Sequence, residues 1–366
     1  MPFISITPYN FRNLSNESID LSSKEVFFVG QNGQGKSNFL EALYYCAYGS
    51  SFRTHLDNEI IRNGESEMSI HSMFREEEKS VHTTLIKLKE KTKKIEKDGK
   101  NIHDRKELVN TIPCVLYSHD DLDFAVGAPE RRRFFIDQSL SMYDVFYIDV
   151  LRRYRKILKS RNMCLVEKNY NIIDSYDIQL AENGIEIQKK RKAAIFKFNQ
   201  IFDRIYEEVT GIDGVHIRYL PSWKENENEN GFDSAYVIRD YLNKNRDMEC
   251  MRNTTMSGPH RDRIVFERKG SPFIPQASTG QRRLVSLVLR TAQAVYYNQI
   301  TGKNPVLLMD DVLLELDPEK RKRVTNLLPD YDQLFCTFLP GEPYENYRRN
   351  ETLVYEISEG KWNIKK

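Results

Sequence analysis

The chain has 366 residues, which at roughly 150 residues per domain predicts about two domains, or one domain with a large insertion. Hydrophobic residues make up 40% of the chain and charged residues 30%, which excludes a chain that is disordered over most of its length. The formal net charge is only +2, so any surface for a polyanion such as nucleic acid must be local.

No stretch reaches the roughly 18 to 20 uninterrupted apolar residues of a membrane helix. The most apolar stretch, 305–316, is broken by Asp310, Asp311 and Glu315. The first residues show no basic leader followed by an apolar core, and we therefore expect a cytoplasmic protein. The five cysteines are odd in number, widely spaced and form no C-x-x-C pair, so we expect reduced structural thiols rather than disulfides or a zinc site.

Short β-branched and aromatic runs occupy the first 120 residues and predict strands of a mixed sheet. These runs are 3–7, 24–29, 68–74, 81–88 and 114–117. From residue 120 to about residue 211 the apolar residues instead recur at helical spacing, with few Gly or Pro residues. This stretch predicts an all-helical insert.

Strand-like runs return after residue 211, and they are 215–220, 264–266, 306–309 and 334–338. A patch of alternating Asn and Glu at 224–231 predicts a solvated loop. We therefore predict an α/β fold whose head domain is built from residues 1–118 and 212–366. An all-helical domain, residues 119–211, is inserted into that head.

The predicted helical insert is also rich in basic residues. They are Arg131, Arg132, Arg133, Arg152, Arg153, Arg155, Lys156, Lys159, Arg161, Lys189, Lys190, Arg191 and Lys192. Such a cluster is suited to following the phosphates of a nucleic acid. Basic runs are equally common on solvated helix faces, so the spacing leaves both interpretations open.

The most specific motif is a complete G-x-x-x-x-G-K-[ST] phosphate-binding loop (P-loop) between a predicted strand and a predicted helix. Its residues are Gly30, Gln31, Asn32, Gly33, Gln34, Gly35, Lys36 and Ser37. The glycines let backbone N–H groups turn toward phosphates, and the start of the following helix favours anions. Lys36 is expected to reach the β- and γ-phosphates, and Ser37 is expected to bind Mg²⁺.

A second motif is the apolar run 305–309, which ends in Asp310 and Asp311. A buried strand of an open α/β sheet delivers the residues at its carboxyl end to the ligand site. We expect Asp310 to orient Mg²⁺, and Asp311 to act as a general base or to position water for phosphoryl transfer.

A third motif, Ser278-Thr279-Gly280-Gln281, comes directly before an amphipathic helix. Small and amide side chains at a helix start favour an anion. The position of Ser278, Gly280 and Gln281, between the P-loop and the acidic strand, is that of an ABC-type signature, the element that reaches the γ-phosphate bound to a second subunit. ATP would then join two copies of the chain.

With these motifs the sequence resembles the RecF family of bacterial recombinational-repair ATPases, which is related to SMC and ABC heads. The resemblance runs nearly from end to end and is carried by several local phrases. They are 11–13 (Phe-Arg-Asn), the P-loop continuing through 38–42, 51–54 (Ser-Phe-Arg-Thr), 130–137, 257–262 (Ser-Gly-Pro-His-Arg-Asp), 278–283, Asp310-Asp311 and 315–317.

The resemblance implies an ATP-dependent homodimer that closes on DNA at gaps and at junctions of single- and double-stranded DNA. It implies that the helical insert, residues 119–211, is a lid domain that widens the clamp. It implies action with RecO and RecR to help load RecA, and weak DNA-dependent ATP hydrolysis that resets the dimer. It places Arg53 near the nucleotide, and it places residues 118–122 where related heads have a metal-sensing loop. The implied cofactors are ATP and Mg²⁺.

The sequence departs from the family pattern at a few positions outside the P-loop. Ser118-His119-Asp120-Asp121 stands where the family often has Ser-Pro-Glu-Asp, and Arg263 replaces an acid. Leu314 stands where a small residue is usual, and a threonine run is reduced to Thr337 before Phe338. These departures concern the γ-phosphate sensor and the subunit interface, so they bear on hydrolysis more than on ATP binding.

Other ATPase classes fit the motif spacing less well. An ABC transporter subunit has roughly 100 residues between P-loop and signature, and Lys36 and Ser278 are separated by more than twice that. An SMC protein needs long heptad arms, which the predicted insert is too short to form. A GTPase needs N-K-x-D, and Asn243-Lys244-Asn245-Arg246 fails at the acid. An ATP-gated nuclease and an ATP-binding scaffold without turnover remain as alternatives.

Overall fold

Three sheets organise the part of the chain that the computed structural model describes, which is residues 3–76, 80–90, 92–109, 111–223, 235–312 and 318–365. Internal contacts divide the chain into two compact units. The first unit consists of residues 1–121 and 293–366, and the second unit consists of residues 122–292.

The strands are numbered in chain order. They are β1 (Phe3–Tyr9), β2 (Ile19–Asp20), β3 (Glu25–Val29), β4 (Glu67–Glu76), β5 (Ser80–Lys89), β6 (Thr92–Lys97), β7 (Lys100–Ile102), β8 (Cys114–Tyr117), β9 (Val215–Leu220), β10 (Arg263–Arg268), β11 (Ser271–Pro272), β12 (Val306–Met309), β13 (Gln333–Phe338), β14 (Leu353–Ser358) and β15 (Lys361–Ile364).

The α-helices are numbered in the same way. They are α1 (Lys36–Tyr48), α2 (Lys106–Val109), α3 (Leu122–Val126), α4 (Pro129–Ser141), α5 (Val145–Glu167), α6 (Ile173–Thr210), α7 (Ala235–Lys244), α8 (Arg246–Arg252), α9 (Thr279–Thr301) and α10 (Pro318–Asn326).

The first unit contains two six-stranded sheets rather than the single mixed sheet predicted for the first 120 residues, so that prediction is wrong. One sheet is antiparallel, in the order β2-β1-β4-β5-β6-β7. The other has the order β15-β14-β3-β13-β12-β8, and every pair except β14 with β15 is parallel. The division follows residue patterning, because β3 and β8 are buried at every position, as parallel strands require, whereas burial alternates in β5.

Helix α1 and both sheets of the first unit share one apolar core. Phe39 of α1 stacks on Phe28 of β3 with ring centroids 4.8 Å apart. Ile70 of the antiparallel sheet and Leu308 of the parallel sheet belong to the same buried cluster. This burial fixes the start of α1 against the carboxyl end of β3, where the P-loop lies.

The second unit consists of helices together with the sheet β11-β10-β9. The stretch 122–211 is helical as predicted, and α6 ends at Gly211, which adopts the left-handed conformation with φ of 71°. Residues 212–292 group with these helices, whereas the boundaries predicted from sequence, 118/119 and 211/212, place them in the head. One contact that joins β9 to the helices is made by Asn199 of α6. Its side-chain amide accepts the N–H of Ile217 in β9 and donates to the C=O of the same residue, both at 2.8 Å.

The cysteines and the hydropathy of the helices follow the sequence-based expectations in the described residues. All five cysteines are free; Cys46, Cys114, Cys164 and Cys336 are buried and Cys250 is half-buried. None of the described helices combines the length and the apolar character that crossing a membrane requires.

Candidate nucleotide-binding site

The P-loop connects β3 to α1 in the first unit, as the motif predicts. Gly33 and Gly35 adopt φ values of 79° and 113°, which residues other than glycine rarely adopt. A Cβ atom on Gly30 would lie 2.4 Å from the carbonyl oxygen of Ile357, so the chain can pass this point only with glycine. The glycines therefore serve backbone conformation and close packing.

Lys36 is buried, with 4% of its surface exposed, and its ammonium group lies against the loop backbone. Nζ donates to the carbonyl oxygens of Gly30 at 2.8 Å and Gln31 at 3.3 Å. The N–H groups of Asn38 and Phe39 donate to the carbonyl oxygen of Gly35 at 3.0 and 3.3 Å, which closes the first turn of α1 directly after the loop. The loop therefore combines a lysine ammonium group with a helix start, and both favour the binding of phosphates.

Ser37, at the start of α1, meets the carboxyl end of β12. Its hydroxyl donates to Oδ1 of Asp310 at 2.7 Å. The N–H of Asp310 donates to the carbonyl oxygen of Tyr117 at the end of β8 at 2.9 Å, which fixes the carboxylate relative to the parallel sheet. Burial, with a contribution from Asp311, raises the pKa of Asp310, while the Ser37 hydrogen bond opposes the rise. Two adjacent oxygens, one of them from a carboxylate, fit the hard-oxygen preference of Mg²⁺.

Asp311 follows Asp310 in the left-handed conformation, with φ of 53°. Its N–H donates to the hydroxyl oxygen of Thr337 at 2.8 Å, and that hydroxyl lies 2.8 Å from Oδ1 of Asp311 and 3.2 Å from Oδ1 of Asp310. Thr337 therefore joins both carboxylates to β13. The sequence identifies Thr337 only as the remainder of a threonine run. Its role as an anchor depends on the pairing of β12 with β13.

Arg53 belongs to the same site through a small polar network. Its guanidinium donates to Oδ1 of Asn38 at 2.7 Å and to Oε2 of Glu41 at 3.4 Å, and its charge helps to hold down the pKa of Asp310. Glu41 is fully buried and also accepts from Arg12 at 2.8 Å and from Ser51 at 2.6 Å. Arg12, Glu41 and Ser51 lie in phrases that carried the family resemblance, but the sequence assigned them no role.

Glu342, in the loop after β13, is a further carboxylate that the sequence did not single out. Its Oε2 accepts the N–H of Leu339 at 2.7 Å, which holds the side chain in the loop. Burial raises the pKa of Glu342, and the charge of Asp311 adds to the rise while that of Lys36 opposes it. The site therefore concentrates negative charge that a nearby cation would stabilise.

The signature residues lie in the second unit, at the start of α9. The N–H of Ser278 donates to Oε1 of Gln281 at 2.8 Å, and the N–H of Gln281 donates to the Ser278 hydroxyl at 3.3 Å, which is a reciprocal capping box. A Cβ atom on Gly280 would meet no described atom within 4 Å. Local packing therefore does not require glycine here, although glycine weakens a helix.

Three of the basic residues predicted for a solvated or phosphate-following helix face are buried, so that prediction is wrong for them. Arg161 is fully buried and pairs with Asp177 and, at 2.7 Å, with Glu249. Arg191 pairs with Asp137 and Asp262, and Arg133 donates to the carbonyl oxygen of Asp262. The sequence does contain a signal for the burial of Arg161. Tyr147, Tyr154 and Arg161 are spaced seven residues apart, which places them on the same, buried side of α5.

Other members of the basic cluster are exposed. Arg152, Arg153, Arg155, Lys156 and Lys159 all lie on the solvent side of α5. Because these basic side chains are exposed, α5 is still the candidate nucleic-acid surface of the second unit.

Several residues named in the sequence analysis lie outside the described residues, namely Leu314, 315–317 and the patch 224–231. Three departures from the family pattern lie within the described residues. Arg263 is exposed on β10, and Phe338 is buried at the end of β13. In the segment 118–121, the carboxylate of Asp121 accepts the N–H of Ser118 at 2.9 Å. Within 3–76, 80–90, 92–109, 111–223, 235–312 and 318–365, no group of three or more His, Cys, Asp or Glu residues is arranged to hold a metal ion.

The chain is similar to known proteins over nearly its whole length. The family described as RecF/RecN/SMC N terminal domain matches residues 3–359. The chain is 51% identical over 357 residues to the DNA replication and repair protein RecF of Treponema pallidum (strain Nichols), covering 97% of this chain and 99% of the relative. It is 32% identical over 356 residues to the RecF protein of Clostridium tetani (strain Massachusetts / E88), covering 96% of both chains.

Solved structures show the same relationship at the level of the fold. A structure of the recombination mediator protein RecF with ATP, in the RecFOR pathway, matches with a TM-score of 0.89 and 26% identity, covering 100% of this chain and 98% of that chain. An Smc head bound to the C-terminal winged-helix domain of ScpA matches with a TM-score of 0.58 and 15% identity, covering 99% and 96% of the two chains, which concerns the fold alone. The predicted α/β fold with an ABC/SMC-type P-loop ATPase head is confirmed.

Proposed function

The chain belongs to the RecF family, whose members act in DNA replication and repair, and on that premise we propose that it is an ATP-dependent DNA-binding clamp. Two copies would hold ATP between them and close on gapped DNA or on junctions of single- and double-stranded DNA. The observation that carries the proposal is the hydrogen bond of 2.7 Å between Ser37 and Asp310, because it joins the P-loop and the acidic strand into one site.

Each residue of the nucleotide site has a distinct task in this proposal. Lys36 and the N–H groups at the start of α1 bind the phosphates, and Arg53 adds positive charge beside them. Ser37 and Asp310 would hold Mg²⁺, which would neutralise phosphate charge when bound. Asp311, held by Thr337, orients the attacking water and accepts its proton. ATP hydrolysis would then be weak and DNA-dependent, and it would reset the clamp.

The signature supports dimerisation by ATP. Gly280 is open to close approach, and Ser278 and Gln281 are exposed or half-exposed at the N-terminus of the 23-residue helix α9. A helix N-terminus attracts anions, so a γ-phosphate bound to another copy is a suitable ligand for Ser278, Gly280 and Gln281. The subunit interface is then formed by the nucleotide itself.

The exposed basic row of α5 supports contact with DNA phosphates. The solved RecF structure with ATP belongs to the RecFOR pathway, which supports RecO and RecR as partners. The loading of a RecA-type protein is the outcome that the family resemblance implies. Cytoplasmic action is part of the same proposal. Among the described residues no specific observation favours the nuclease or the scaffold alternative.

The test is the mass of the protein by light scattering, with and without Mg·ATP and with a gapped duplex. We expect a monomer that becomes a dimer only with ATP and that binds DNA as the dimer. Ser278→Arg should bind ATP but remain monomeric, because the signature acts on the nucleotide of the other copy. Ser271→Arg is the control, since Ser271 is exposed on the edge strand β11 in the same unit.

Each outcome bears on a different part of the proposal. If Ser278→Arg dimerises like the wild type, the assignment of the signature to the other copy's nucleotide is refuted. If ATP leaves the mass of the wild type unchanged although DNA still binds, the clamp mechanism is refuted and the scaffold alternative replaces it.

A further inference from the structure

The P-loop is hydrogen-bonded to the turn of the β14–β15 hairpin. We call this turn, Glu359 and Gly360, the hairpin turn. The N–H of Glu359 donates to Oε1 of Gln34 at 2.6 Å. The N–H of Gly360 donates to the carbonyl oxygen of Gln34 at 2.8 Å. One residue of the P-loop is thus bonded through both its side chain and its backbone to a segment 325 residues further along the chain.

The approach of the hairpin turn leaves no room for a side chain. A Cβ atom on Gly360 would lie 1.8 Å from the carbonyl oxygen of Asn13, and Gly360 has φ of +76°. Its carbonyl oxygen accepts the N–H of Ser15 at 2.8 Å. The turn is therefore packed between the P-loop and the N-terminal segment.

The hairpin also contacts the helix that the P-loop opens. Trp362 of β15 packs edge-on against Phe39 of α1 with ring centroids 5.1 Å apart. Phe39 lies three residues after Lys36 and stacks on Phe28 of β3. The hairpin consequently supports both the loop and the first turn of α1.

These contacts provide hydrogen-bond donors for backbone carbonyl groups of the P-loop. A loop that directs its N–H groups toward an anion directs its carbonyl groups the other way, and those carbonyls need donors. Lys36 supplies the donor for Gly30 and Gln31. For Gln34 the donors are the N–H of Gly360 and, at 3.4 Å, the side-chain amide of Asn13.

We propose that the hairpin turn positions the P-loop for nucleotide binding and that Gln34 is the positioning residue that fastens the two together. Both the side-chain oxygen and the backbone carbonyl oxygen of Gln34 are directed to the hairpin turn. This inference rests on the proposed ATP binding. Its consequence is that residues at the C-terminal end of the chain set the affinity of a motif near the N-terminal end.

The chain offers a matched pair of glycines for the test. Asp98 and Gly99, between β6 and β7, have φ values of 51° and 73°, nearly those of Glu359 and Gly360 at 49° and 76°. A Cβ atom on Gly99 would meet no described atom within 4 Å. Gly99→Ala therefore carries the same backbone penalty as Gly360→Ala without the clash against Asn13.

We would measure the Kd of Mg·ATP by equilibrium binding, well below the thermal midpoint of each variant, and record the midpoint separately. Gly360→Ala should bind ATP about tenfold more weakly than the wild type, since small misplacements of a binding group are costly, whereas Gly99→Ala should stay within about twofold. Gln34→Met keeps the length of the side chain but removes the acceptor, and it should weaken binding about fivefold.

The double variant Gln34→Met/Gly360→Ala shows whether both changes break one contact. If they do, its Kd should lie within about twofold of that of Gly360→Ala alone, because coupled sites are not additive. A Kd close to that of the wild type in both Gly360→Ala and Gln34→Met, with only the thermal midpoints lowered, would reduce the hairpin turn to a structural element and overturn the proposal. Failure of the wild type itself to bind Mg·ATP would instead refute the proposed function.

Discussion

At the scale of single residues, the nucleotide site depends on side chains that the fold holds in one orientation. Thr337 ties Asp310 and Asp311 to β13, and Ser37 ties Asp310 to α1. Asp311 adopts the left-handed conformation, which Asp and Asn tolerate better than other non-glycine residues. The site therefore contains one residue whose charge can be removed without changing the backbone.

Asp311→Asn should retain ATP binding and ATP-dependent dimerisation but lose hydrolysis by about a hundredfold or more, because an amide cannot accept the proton of the attacking water. Phosphate release measured with DNA present is the readout. Asp332→Asn, at an exposed position just before β13, is the control. Unchanged phosphate release in Asp311→Asn would show that another group takes the proton.

His260 is a half-buried residue whose neutral form holds a loop of the second unit in place. Its Nδ1 accepts from the hydroxyl of Tyr154 at 2.7 Å, and its Nε2–H donates to the carbonyl oxygen of Thr255 at 3.1 Å. Burial, reinforced by the charges of Arg261 and Arg133 among others, lowers the pKa of His260 from 6.5 to about 4. Between these two values the unfolded chain binds a proton that the folded protein does not.

The free energy of unfolding should therefore fall as the pH falls from about 6.5 toward 4, and His260 contributes up to about 3 kcal/mol of this loss. His260→Gln removes the titrating group, so its stability should change less over the same range, although it is lower at pH 7. Chemical denaturation at pH 7, 6 and 5 measures both. Parallel pH profiles of the two proteins would contradict the assignment.

At the scale of elements, helix α5 separates basic residues with different tasks. Arg152, Arg153, Arg155, Lys156 and Lys159 are exposed, whereas Arg161 faces Asp177 of α6 and Glu249 of α8. The exposed residues are available to phosphates and the buried one is not. The two groups should therefore respond differently to substitution.

Arg161→Met leaves two buried carboxylates with less compensation and should lower the free energy of unfolding by about 3–5 kcal/mol. Lys159→Met, on the exposed side of the same helix, should change it by less than about 0.5 kcal/mol. Urea denaturation of both variants provides the comparison. Equal effects would mean that burial on α5 does not distinguish the two residues.

Neutralising Arg152, Arg153 and Arg155 together with Gln should flatten the salt dependence of DNA binding. The slope of log K against log salt is negative, and each lost phosphate contact reduces its magnitude by about 0.7–0.9. Binding titrations at several salt concentrations measure the slope, and Lys244→Gln on α7 serves as a control. An unchanged slope would place the DNA surface elsewhere on the chain.

At the scale of the whole molecule, remote segments converge on the nucleotide site of the first unit. The parallel sheet pairs β3 with β13 and β14, which follow it by about 300 residues. A ligand that binds this sheet edge stabilises all the segments that form it. Nucleotide binding should therefore be visible in the stability of the folded chain.

Mg·ATP at about one hundred times its Kd should stabilise the folded protein by about 2.7 kcal/mol and raise its thermal midpoint. Lys36→Ala should abolish this rise, because the cation that binds the phosphates is lost. Lys94→Ala, exposed on β6, should retain it. Differential scanning calorimetry with and without Mg·ATP tests the prediction, and a rise that persists in Lys36→Ala would remove that residue from the site.

The sequence by itself determined the features that depend on neighbouring residues. The P-loop is contiguous between one strand and one helix, and its conformation follows from its own glycines. Strands β8, β9 and β12 have the bounds that their apolar runs predict. The family resemblance was carried by such local phrases, and the comparisons confirmed it.

Only the tertiary structure decided the features that depend on distant partners. Hairpin β14–β15 was not predicted, and its bonds to Gln34 span 325 residues. The division of the early strands between two sheets, the burial of Arg161 and Arg191, and the anchoring of two carboxylates by Thr337 have the same origin. Local sequence sets backbone preference and periodicity, whereas pairing and burial depend on which segments meet, and that is settled only when the whole chain folds.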